Sequence, residues 1–496
     1  MGKNRGKRKY SRHRNDEEYV SMPAFFAREL IKQVVYNPNN SSAKKSYSYS
    51  LYDKNDIVTW LQSPSSSEQN LRNASIYMYL SSMHYQRLID YYAGLPTGAY
   101  VISPLGYEGE VSNPANYIKQ YYKTSKAIEL MDIPSLIRQI LIVALREGAF
   151  YGVRWGDKSS SFVQKIDADY CKITHIVNGS FLYSVDMTKL QGRLELYPAE
   201  FTTMYNAYLS TGERWQLVPP EICVCVKADE TTVDYSVPPF AAVMPYLYTI
   251  ANTEALQETA SELKNYKMIT GKVATDSRGA PLMGWDVYRK YYAQLANAVG
   301  DSVGLAVTPF DLDSFSFEEK GSTADVDEVS KTIGNFWASA GTSGLLHGMM
   351  NNTSGVTKLS IKNDETYIMG IVKQIEKCLN RYLRTSFSST AKFKITILPV
   401  TVFNREEYVK TYKEAASFGI GKSYYAAALG IPQCDIAGLD YLERETKSFE
   451  ALTPLKSSYT SSGKSDDSGE DVGRPKQEDL TESGEITRDA DSNGNR

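Results

Sequence analysis

A glycine-rich stretch near residue 420 matches part of the sequence pattern of a phosphate-binding loop. Gly421, Lys422 and Ser423 match the end of the pattern Gly-x4-Gly-Lys-Ser/Thr, whose backbone amides cradle a phosphate. The first glycine of that pattern would stand at position 416, which is Ala416. The loop must also follow a strand, which aims the amides at the phosphate, whereas the sequence predicts a helix before Gly419. The stretch therefore predicts a joint between two helices.

The cysteines and histidines are the other candidates for metal binding or catalysis. Cys223 and Cys225 stand two apart in an apolar run, which places both on one face of a predicted strand. The five cysteines and four histidines are otherwise scattered, and a metal would need further ligands nearby. We therefore predict buried free thiols in a reducing compartment, with no metal, no cofactor and no catalytic residue. A catalytic site built from residues far apart in sequence stays open, because it leaves no local motif.

Composition and charge narrow the class of protein. The chain has 496 residues and a formal net charge of −3, so it is not a generally basic nucleic-acid binder. Its 37 tyrosines, against 16 phenylalanines, favour extensive subunit contact, because tyrosine combines apolar area with a polar tip. The sequence has no run of about 18 apolar residues, so we predict no membrane partner.

Residues 239–341 form the stretch around which the other elements are organised. Its hydrophobic spacing predicts helix, strand, helix, strand and helix, so that two long helices flank a small α/β unit. Phe336 and Trp337 lie on the apolar face of the last helix, and Gly341 stands where that helix should end. The predicted elements are Tyr246–Lys267, Met268–Ala274, Asp286–Val299, Ser302–Val307 and Ser322–Gly341.

The segment before this stretch is predicted to change from helices to strands at Gly148. Asn178-Gly179 between two of the strands is a strong hairpin signal. The predicted helices are Met22–Val35, Asp53–Leu61, Glu68–Ala93, Asn116–Leu130 and Asp132–Gly148. The predicted strands are Tyr100–Ile102, Phe150–Arg154, Ser161–Ile166, Lys172–Val177, Phe181–Val185 and Ile222–Val226.

The segment after it begins with Thr342–Asn363, which is rich in glycine and polar residues and predicts a long mobile loop. Residues 1–20 predict a disordered basic arm with an acidic patch, and residues 453–496 predict a disordered acidic tail. The elements predicted between loop and tail are helix Tyr367–Arg384, strand Phe393–Leu398, and helices Asn404–Ser417, Ser423–Leu429 and Leu439–Ser448.

A series of short motifs follows one order along nearly the whole chain. Together they resemble the portal proteins of tailed bacteriophages, particularly of phages that infect Gram-positive bacteria. The motifs are Ile57-Val-Thr-Trp-Leu61 with Pro64, Leu71 with Ser75, Tyr79, Tyr85-Gln-Arg-Leu-Ile89 with Tyr91-Tyr92-Ala93, Pro104, Arg146-Glu-Gly148 with Phe150-Tyr-Gly152, Ile166-Asp-Ala-Asp-Tyr-Cys-Lys-Ile173, Asn178-Gly179, Tyr197-Pro198, Trp215, Pro238-Pro239, Thr453-Pro-Leu455, Gly473-Arg-Pro-Lys476 and Thr487-Arg-Asp489.

The resemblance implies an α+β portal-type fold with an α/β wing, a two-helix stem, a small α/β clip insertion and a C-terminal helical crown region. On this sequence the wing would cover 21–238 and the stem helices 239–267 and 318–341. The clip would be 268–317, the tunnel loop region 342–366, and the wing return with the crown 367–452.

The resemblance also implies a function without enzymatic activity. The chain would form a ring of about twelve subunits at one capsid vertex and let double-stranded DNA pass non-specifically during packaging and ejection. Its partners would be the terminase large subunit, a head-completion adaptor protein, the major capsid protein and the scaffold. Its location would be the virion, and the host cytoplasm during assembly. A cytosolic α/β enzyme with an inserted subdomain and an unidentified site is the alternative at this stage.

Residue roles follow from the same resemblance. The tunnel loop would line the DNA channel, and Phe336 with Trp337 would pack the stem. The channel candidates are Asn351, Asn352, Thr353, Ser354, Lys358 and Lys362. The two lysines are also explained as ordinary exposed side chains.

Overall fold

The structure, a computed structural model, describes residues 51–105, 113–156, 161–265, 267–272, 303–308, 324–342, 354–387 and 392–446, with single positions 282, 283, 287, 290 and 294. Helices and strands are mixed along the chain, as an α+β fold requires. The chain divides into two compact units, 1–437 and 438–496. Residues 438–446 of the second unit are described and are helical, with an ion pair between Arg444 and Asp440 at 2.9 Å.

The N-terminal part of the first unit is helical, as predicted. The Asp53 carboxylate accepts a hydrogen bond from the Asn55 amide and begins the first helix. Gly148 ends the fifth at a φ of +87°, where an added Cβ would lie 2.7 Å from the Val237 carbonyl carbon, so only glycine fits. The elements are α1 (Lys54–Gln62), α2 (Glu68–Ser81), α3 (Met83–Gly94), β1 (Tyr100–Pro104), α4 (Pro114–Glu129) and α5 (Ile133–Glu147).

The single helix predicted over Glu68–Ala93 is wrong, because the structure divides it into α2 and α3. Ser82 lies between them with an extended backbone, and its hydroxyl accepts a hydrogen bond from the Tyr85 amide. The break turns Tyr85 into the core, where it is fully buried, and leaves Leu80 and Met83 exposed. A continuous apolar periodicity therefore concealed a serine that begins a new helix.

The next part is β-rich and contains two three-stranded antiparallel sheets, ordered β3-β2-β7 and β4-β5-β6. The predicted hairpin is confirmed, with Asn178 and Gly179 both at positive φ (52° and 67°) between paired strands. One helix, α6, was not predicted, although Phe201, Met204 and Tyr208 have helical spacing. The elements are β2 (Ala149–Gly156), β3 (Ser161–Lys165), β4 (Cys171–Val177), β5 (Ser180–Asp186), α6 (Ala199–Thr211), β6 (Trp215–Leu217) and β7 (Cys223–Lys227).

The central stretch follows its predicted order in the described parts. Its two strands pair in parallel, and its first and last helices pack against each other. Gly341, just past the last helix, has a φ of +77° as expected of a C-terminal glycine. The helix predicted over Asp286–Val299 falls largely outside the described residues. The elements are α7 (Met244–Asn265), β8 (Lys267–Lys272), β9 (Val303–Thr308) and α8 (Ala324–Ser339).

The C-terminal part adds one long helix, a strand that pairs antiparallel with β1, and three shorter helices. Gly419 and Gly421, both at positive φ, join two of these helices, so the glycine-rich stretch is a helix–helix joint as predicted. Asn404 precedes the first of them without a side-chain cap, because its side chain accepts from the Thr401 amide and donates to the Pro399 carbonyl instead. The elements are α9 (Ser354–Ser386), β10 (Phe393–Ile397), α10 (Arg405–Ser417), α11 (Lys422–Ala428) and α12 (Gln433–Thr446).

Two large groups of buried apolar side chains hold the first unit together. The helical core is formed by α1 to α5, the buried parts of α7, α8 and α9, and β10. The β core is formed by strands β2, β5 and β7 with α6, and includes Val153, Tyr183, Phe201 and Cys225. The helix predicted over Met22–Val35, the basic arm 1–20 and the tail 453–496 lie outside the described residues.

Candidate functional site

Helices α7 and α8 connect the parallel strand pair to the helical core. At its N-terminal end α7 is anchored by Met244 and Leu247, which are fully buried. Further along the same helix Leu256 is 70% exposed, so α7 passes from the core to the surface. Strands β8 and β9 then pair over six positions, from Lys267 opposite Val303 to Lys272 opposite Thr308. The helix pair therefore carries a small β unit on a buried base.

Two aromatic residues anchor the other end of this connection. Phe336 is 0% and Trp337 is 2% exposed, and their rings lie 5.0 Å apart in an edge-to-face arrangement. The imidazole of His84 on α3 contacts both rings, at 6.0 and 6.2 Å between centroids. Because these side chains belong to the helical core, α8 is fixed at the end where the chain returns.

The boundaries predicted for the tunnel loop region, 342–366, need a correction. Helix α9 begins at Ser354, so Ser354, Lys358 and Lys362 lie on a helix and not on a loop. Lys358 and Lys362 are both exposed, one helical turn apart. Asn351, Asn352 and Thr353 lie outside the described residues.

A buried carboxylate lies in the part of α9 that was assigned to the tunnel loop region. Asp364 is 2% exposed, and its two oxygens accept hydrogen bonds from the hydroxyls of Tyr91 (3.0 Å) and Tyr92 (3.1 Å) on α3. Burial raises the pKa of the Asp364 carboxyl, although the two hydroxyls partly oppose the rise. The sequence predicted a mobile loop up to Asn363, whereas the next residue, Asp364, is satisfied by tyrosines distant in sequence. Those bonds fix α9 two residues after Lys362 and six after Lys358.

From Asp364 onward α9 joins the helical core to the β-rich part through polar side chains that sequence reasoning missed. Arg381 donates to the Pro220 carbonyl (3.0 Å), the Ser180 hydroxyl (2.6 Å) and the Cys223 carbonyl (2.6 Å). Gln374 exchanges hydrogen bonds with the backbone of Lys227 at 2.9 and 2.7 Å. The sequence signal for these contacts is the presence of an arginine and a glutamine on the otherwise apolar face of the predicted helix.

Three of the five thiols are buried, as predicted, whereas Cys171 and Cys434 are partly exposed. Cys223 and Cys225 face the β core and are 2% and 1% exposed, and the Cys378 thiol donates to the Cys225 carbonyl at 3.5 Å. Burial raises the pKa of the Cys223 thiol to about 12, so it stays protonated near neutral pH. Within the described ranges, no group of three or more histidine, cysteine or acidic side chains could hold a metal ion.

The described helices also bear on a membrane role. None of them combines the length and apolar character that a bilayer crossing requires.

Comparison with known proteins gives structural matches only. No family profile matches the sequence, and no curated protein matches it. A gene transfer agent virion matches with 12% identity and a TM-score of 0.41, over 74% of this chain and 94% of that chain. The neck of an empty gene transfer agent particle matches with 13% identity and a TM-score of 0.42, over the same shares.

A portal protein is also among the matches. An HK97 family phage portal protein from Corynebacterium diphtheriae matches with 11% identity and a TM-score of 0.29, over 64% of this chain and 91% of that chain. This third structure bears the name of the class that the sequence motifs resemble. All are below 25% identity and below a TM-score of 0.5, so the function proposed next is drawn from the motifs and the geometry.

Proposed function

We propose that this protein is a portal subunit, which forms a ring at one capsid vertex and has no enzymatic activity. The ring of about twelve copies would surround double-stranded DNA during packaging and ejection. The observation that carries the proposal is the connection of α7 and α8 to the parallel pair β8 and β9. A small unit carried outward on two packed helices is the arrangement that the portal resemblance implies for stem and clip.

The anchoring of the two helices supports a docking role for the small unit. Met244 and Leu247 fix α7, and Phe336 and Trp337 fix α8, all in one apolar core. A base buried in this way gives the outer strands a defined position relative to the core. The terminase large subunit and later the adaptor protein would dock on that outer unit, while the wing would contact the major capsid protein and scaffold.

A DNA conduit must surround the duplex without gripping it. Each phosphate neutralised by a lysine or arginine adds binding that would slow translocation, with a salt slope of about 0.9 per contact. The chain has a net charge of −3, and the described basic side chains near the start of α9 are the two exposed lysines, Lys358 and Lys362. This low density of positive charge suits a channel that must not bind DNA tightly. We assign these lysines, with Asn351, Asn352, Thr353 and Ser354, to the channel wall.

The interface between neighbouring copies would be large. An obligate assembly buries upwards of about 2,000 Å² per contact. Exposed apolar side chains on the described part of the chain, such as Leu256 on α7 and Met83 on α3, would supply part of that area. The assembled ring would reside in the virion, after assembly in the host cytoplasm.

Negative-stain imaging with native mass measurement tests the proposal. We expect rings with a central hole, and a mass near twelve times the 55.6 kDa chain. A compact monomer or dimer under all conditions would contradict the proposal and favour the enzyme alternative.

A deletion tests the channel assignment separately. Removing Gly348–Thr353 spares the first turn of α9, which begins at Ser354. We expect rings to form normally while packaging or retention of the genome is impaired. Loss of the ring itself would contradict the assignment of this segment to the channel.

A further inference from the structure

The joint between α10 and α11 projects an apolar tip into solvent. Phe418 is 82% exposed and Ile420 is 69% exposed, on either side of Gly419. Gly419 and Gly421 hold the turn at φ values of +85° and +66°, which fixes the two side chains outward on a tight bend. Two large apolar residues displayed together on a rigid turn are costly to leave in water.

A cavity of about 300 Å³ lies at the other end of the same helix pair. Its walls come from three segments: the residues that lead into β1, the turn between α4 and α5, and the helix pair α10 and α11 with the residues that follow it. Ile133, Pro134 and Ile431 give it an apolar lining. Glu129 and Asp132, both exposed, also line it and outnumber its one basic lining residue, Arg405.

The tip and the cavity cannot meet within one chain. Helix α10 has 13 residues, so its two ends are about 20 Å apart. Arg405 at its first turn lines the cavity and donates to the Leu429 carbonyl at 2.9 Å, while Ser417 at its last turn leads into Phe418. The helix pair thus displays a projection at one end and a hollow at the other.

The two surfaces match in size and in charge. An apolar cavity of about 150 Å³ holds a benzene ring, so 300 Å³ accommodates the Phe418 ring with room for Ile420. Lys422 is exposed two residues after Ile420, and it would meet the carboxylates of Glu129 and Asp132 at the cavity. The basic flank of the tip and the acidic lining of the cavity favour this orientation.

We propose that the Phe418–Ile420 tip of one copy inserts into this cavity of a second copy. The contact joins two different surfaces, so it is heterologous, and its repetition generates a closed ring when the rotation closes. The inference rests on the proposed portal ring and identifies one of the contacts that hold neighbouring subunits together. Tip and cavity belong to the same unit of the chain, so both are present on every subunit.

The first test removes the apolar tip from the full-length chain. We expect Phe418→Ser with Ile420→Ser to raise the protein concentration at which half of the ring dissociates by about tenfold to a hundredfold, measured by mass photometry. Leu209→Ser is the matched control, because Leu209 is 65% exposed and lies outside the tip and the cavity. Dissociation unchanged from wild type in the tip variant would overturn the inference.

The second test exchanges charges across the contact. We expect Lys422→Glu and Glu129→Lys each to weaken the ring several-fold, and the double variant to recover most of the loss. Glu129 accepts hydrogen bonds from the Cys434 thiol (2.9 Å) and the Tyr100 hydroxyl (3.4 Å), so its substitution could disturb the fold. Additive losses in the double variant would contradict the pairing.

Disulfide cross-linking tests the same contact without substituting Glu129. Phe418→Cys and Ile431→Cys on a Cys434→Ser background should give, on oxidation, a ladder of covalent multimers in a non-reducing gel. Each single variant should give dimers at most, and absence of the ladder from intact rings would overturn the inference. In that case the proposed function would still stand, whereas a wild-type chain that never forms rings would remove the proposed function itself.

Discussion

The helical core and the β core are attached to the rest of the molecule in different ways. The helical core extends into α7 and α8 mainly by burial, with Phe336 and Trp337 inside it, and the Tyr248 hydroxyl on α7 adds a hydrogen bond to the Tyr52 carbonyl. The β-rich part is fastened by polar side chains: Arg381, Gln374 and the ion pair between Glu147 and Lys165 at 2.6 Å. An attachment made by apolar side chains is weakened when buried volume is removed. An attachment made by polar side chains is weakened when a hydrogen-bond or ion-pair partner is removed, or when the pH changes.

The largest effect is expected where burial is the main attachment. Phe336→Ala and Trp337→Ala should each lower the free energy of unfolding by about 3–5 kcal/mol, because each removes a fully buried ring. Denaturant unfolding measures the loss. Asn335→Ala on the same helix is the control, since Asn335 is exposed and should change little. Unchanged unfolding of the Phe336→Ala and Trp337→Ala variants would mean that α8 is not held by the helical core.

The next effect concerns charge at the base of the β-rich part. Burial would raise the pKa of the Glu147 carboxyl, but Lys165 and Arg146 outweigh it and hold the pKa below its ordinary value. A depressed pKa stabilises the fold above the unfolded pKa, and this stabilisation is lost as pH falls through the folded value. We expect Glu147→Gln to cost about 3 kcal/mol at pH 7.

A pH series of unfolding measurements separates this charge effect from simple packing loss. The cost of Glu147→Gln should shrink as pH falls through the acidic range, because the wild-type carboxyl becomes protonated there. Glu213→Gln serves as control, since Glu213 is exposed. A cost independent of pH would show that the ion pairs do not fasten this part.

Arg381 gives a smaller and pH-independent effect. Arg381→Met keeps the apolar stem but leaves the Pro220 and Cys223 carbonyls without this donor, which should cost about 2 kcal/mol. Hydrogen exchange should localise the loss to β7 and spare α7 and α8. Arg384→Met, an exposed change on the same helix, is the comparison variant. Uniform loss of protection across both cores would contradict separate attachment.

The smallest effect on stability is expected at the start of α9. Lys358→Gln and Lys362→Gln should change the free energy of unfolding by less than about 0.5 kcal/mol, because both side chains are exposed. If they line the channel, the salt dependence of DNA retention should weaken by about one phosphate contact for each. A large loss of stability would mean that these residues support the fold.

The features that the sequence predicted well are decided by local backbone chemistry. Gly148 and Gly341 end helices at positive φ, and the Asn178-Gly179 turn fixes the register of its hairpin. The apolar spacing in α8 also identified Phe336 and Trp337 as buried. In each case the sequence signal, a glycine or a helical spacing of apolar residues, lies within a few residues of the chain.

The features that it missed depend on contacts distant in sequence. Asp364 is buried on α9 with Tyr91 and Tyr92 as hydrogen-bond partners, and the surrounding polar sequence gives no sign of such partners. Ser82 interrupts a continuous apolar pattern to bury Tyr85. The cavity opposite the Phe418 tip could not be foreseen either, because three separate segments form it.

The parallel pairing of β8 with β9 sets a lower limit on the size of the outer unit. Antiparallel strands can be joined by a two-residue turn, but parallel strands need a crossover of a dozen residues or more. Residues 273–302 provide that crossover here. Related chains could therefore lengthen this segment freely to suit new attachments, whereas trimming it to a tight bend would abolish the pairing. The geometry permits growth at this end of the molecule and forbids reduction.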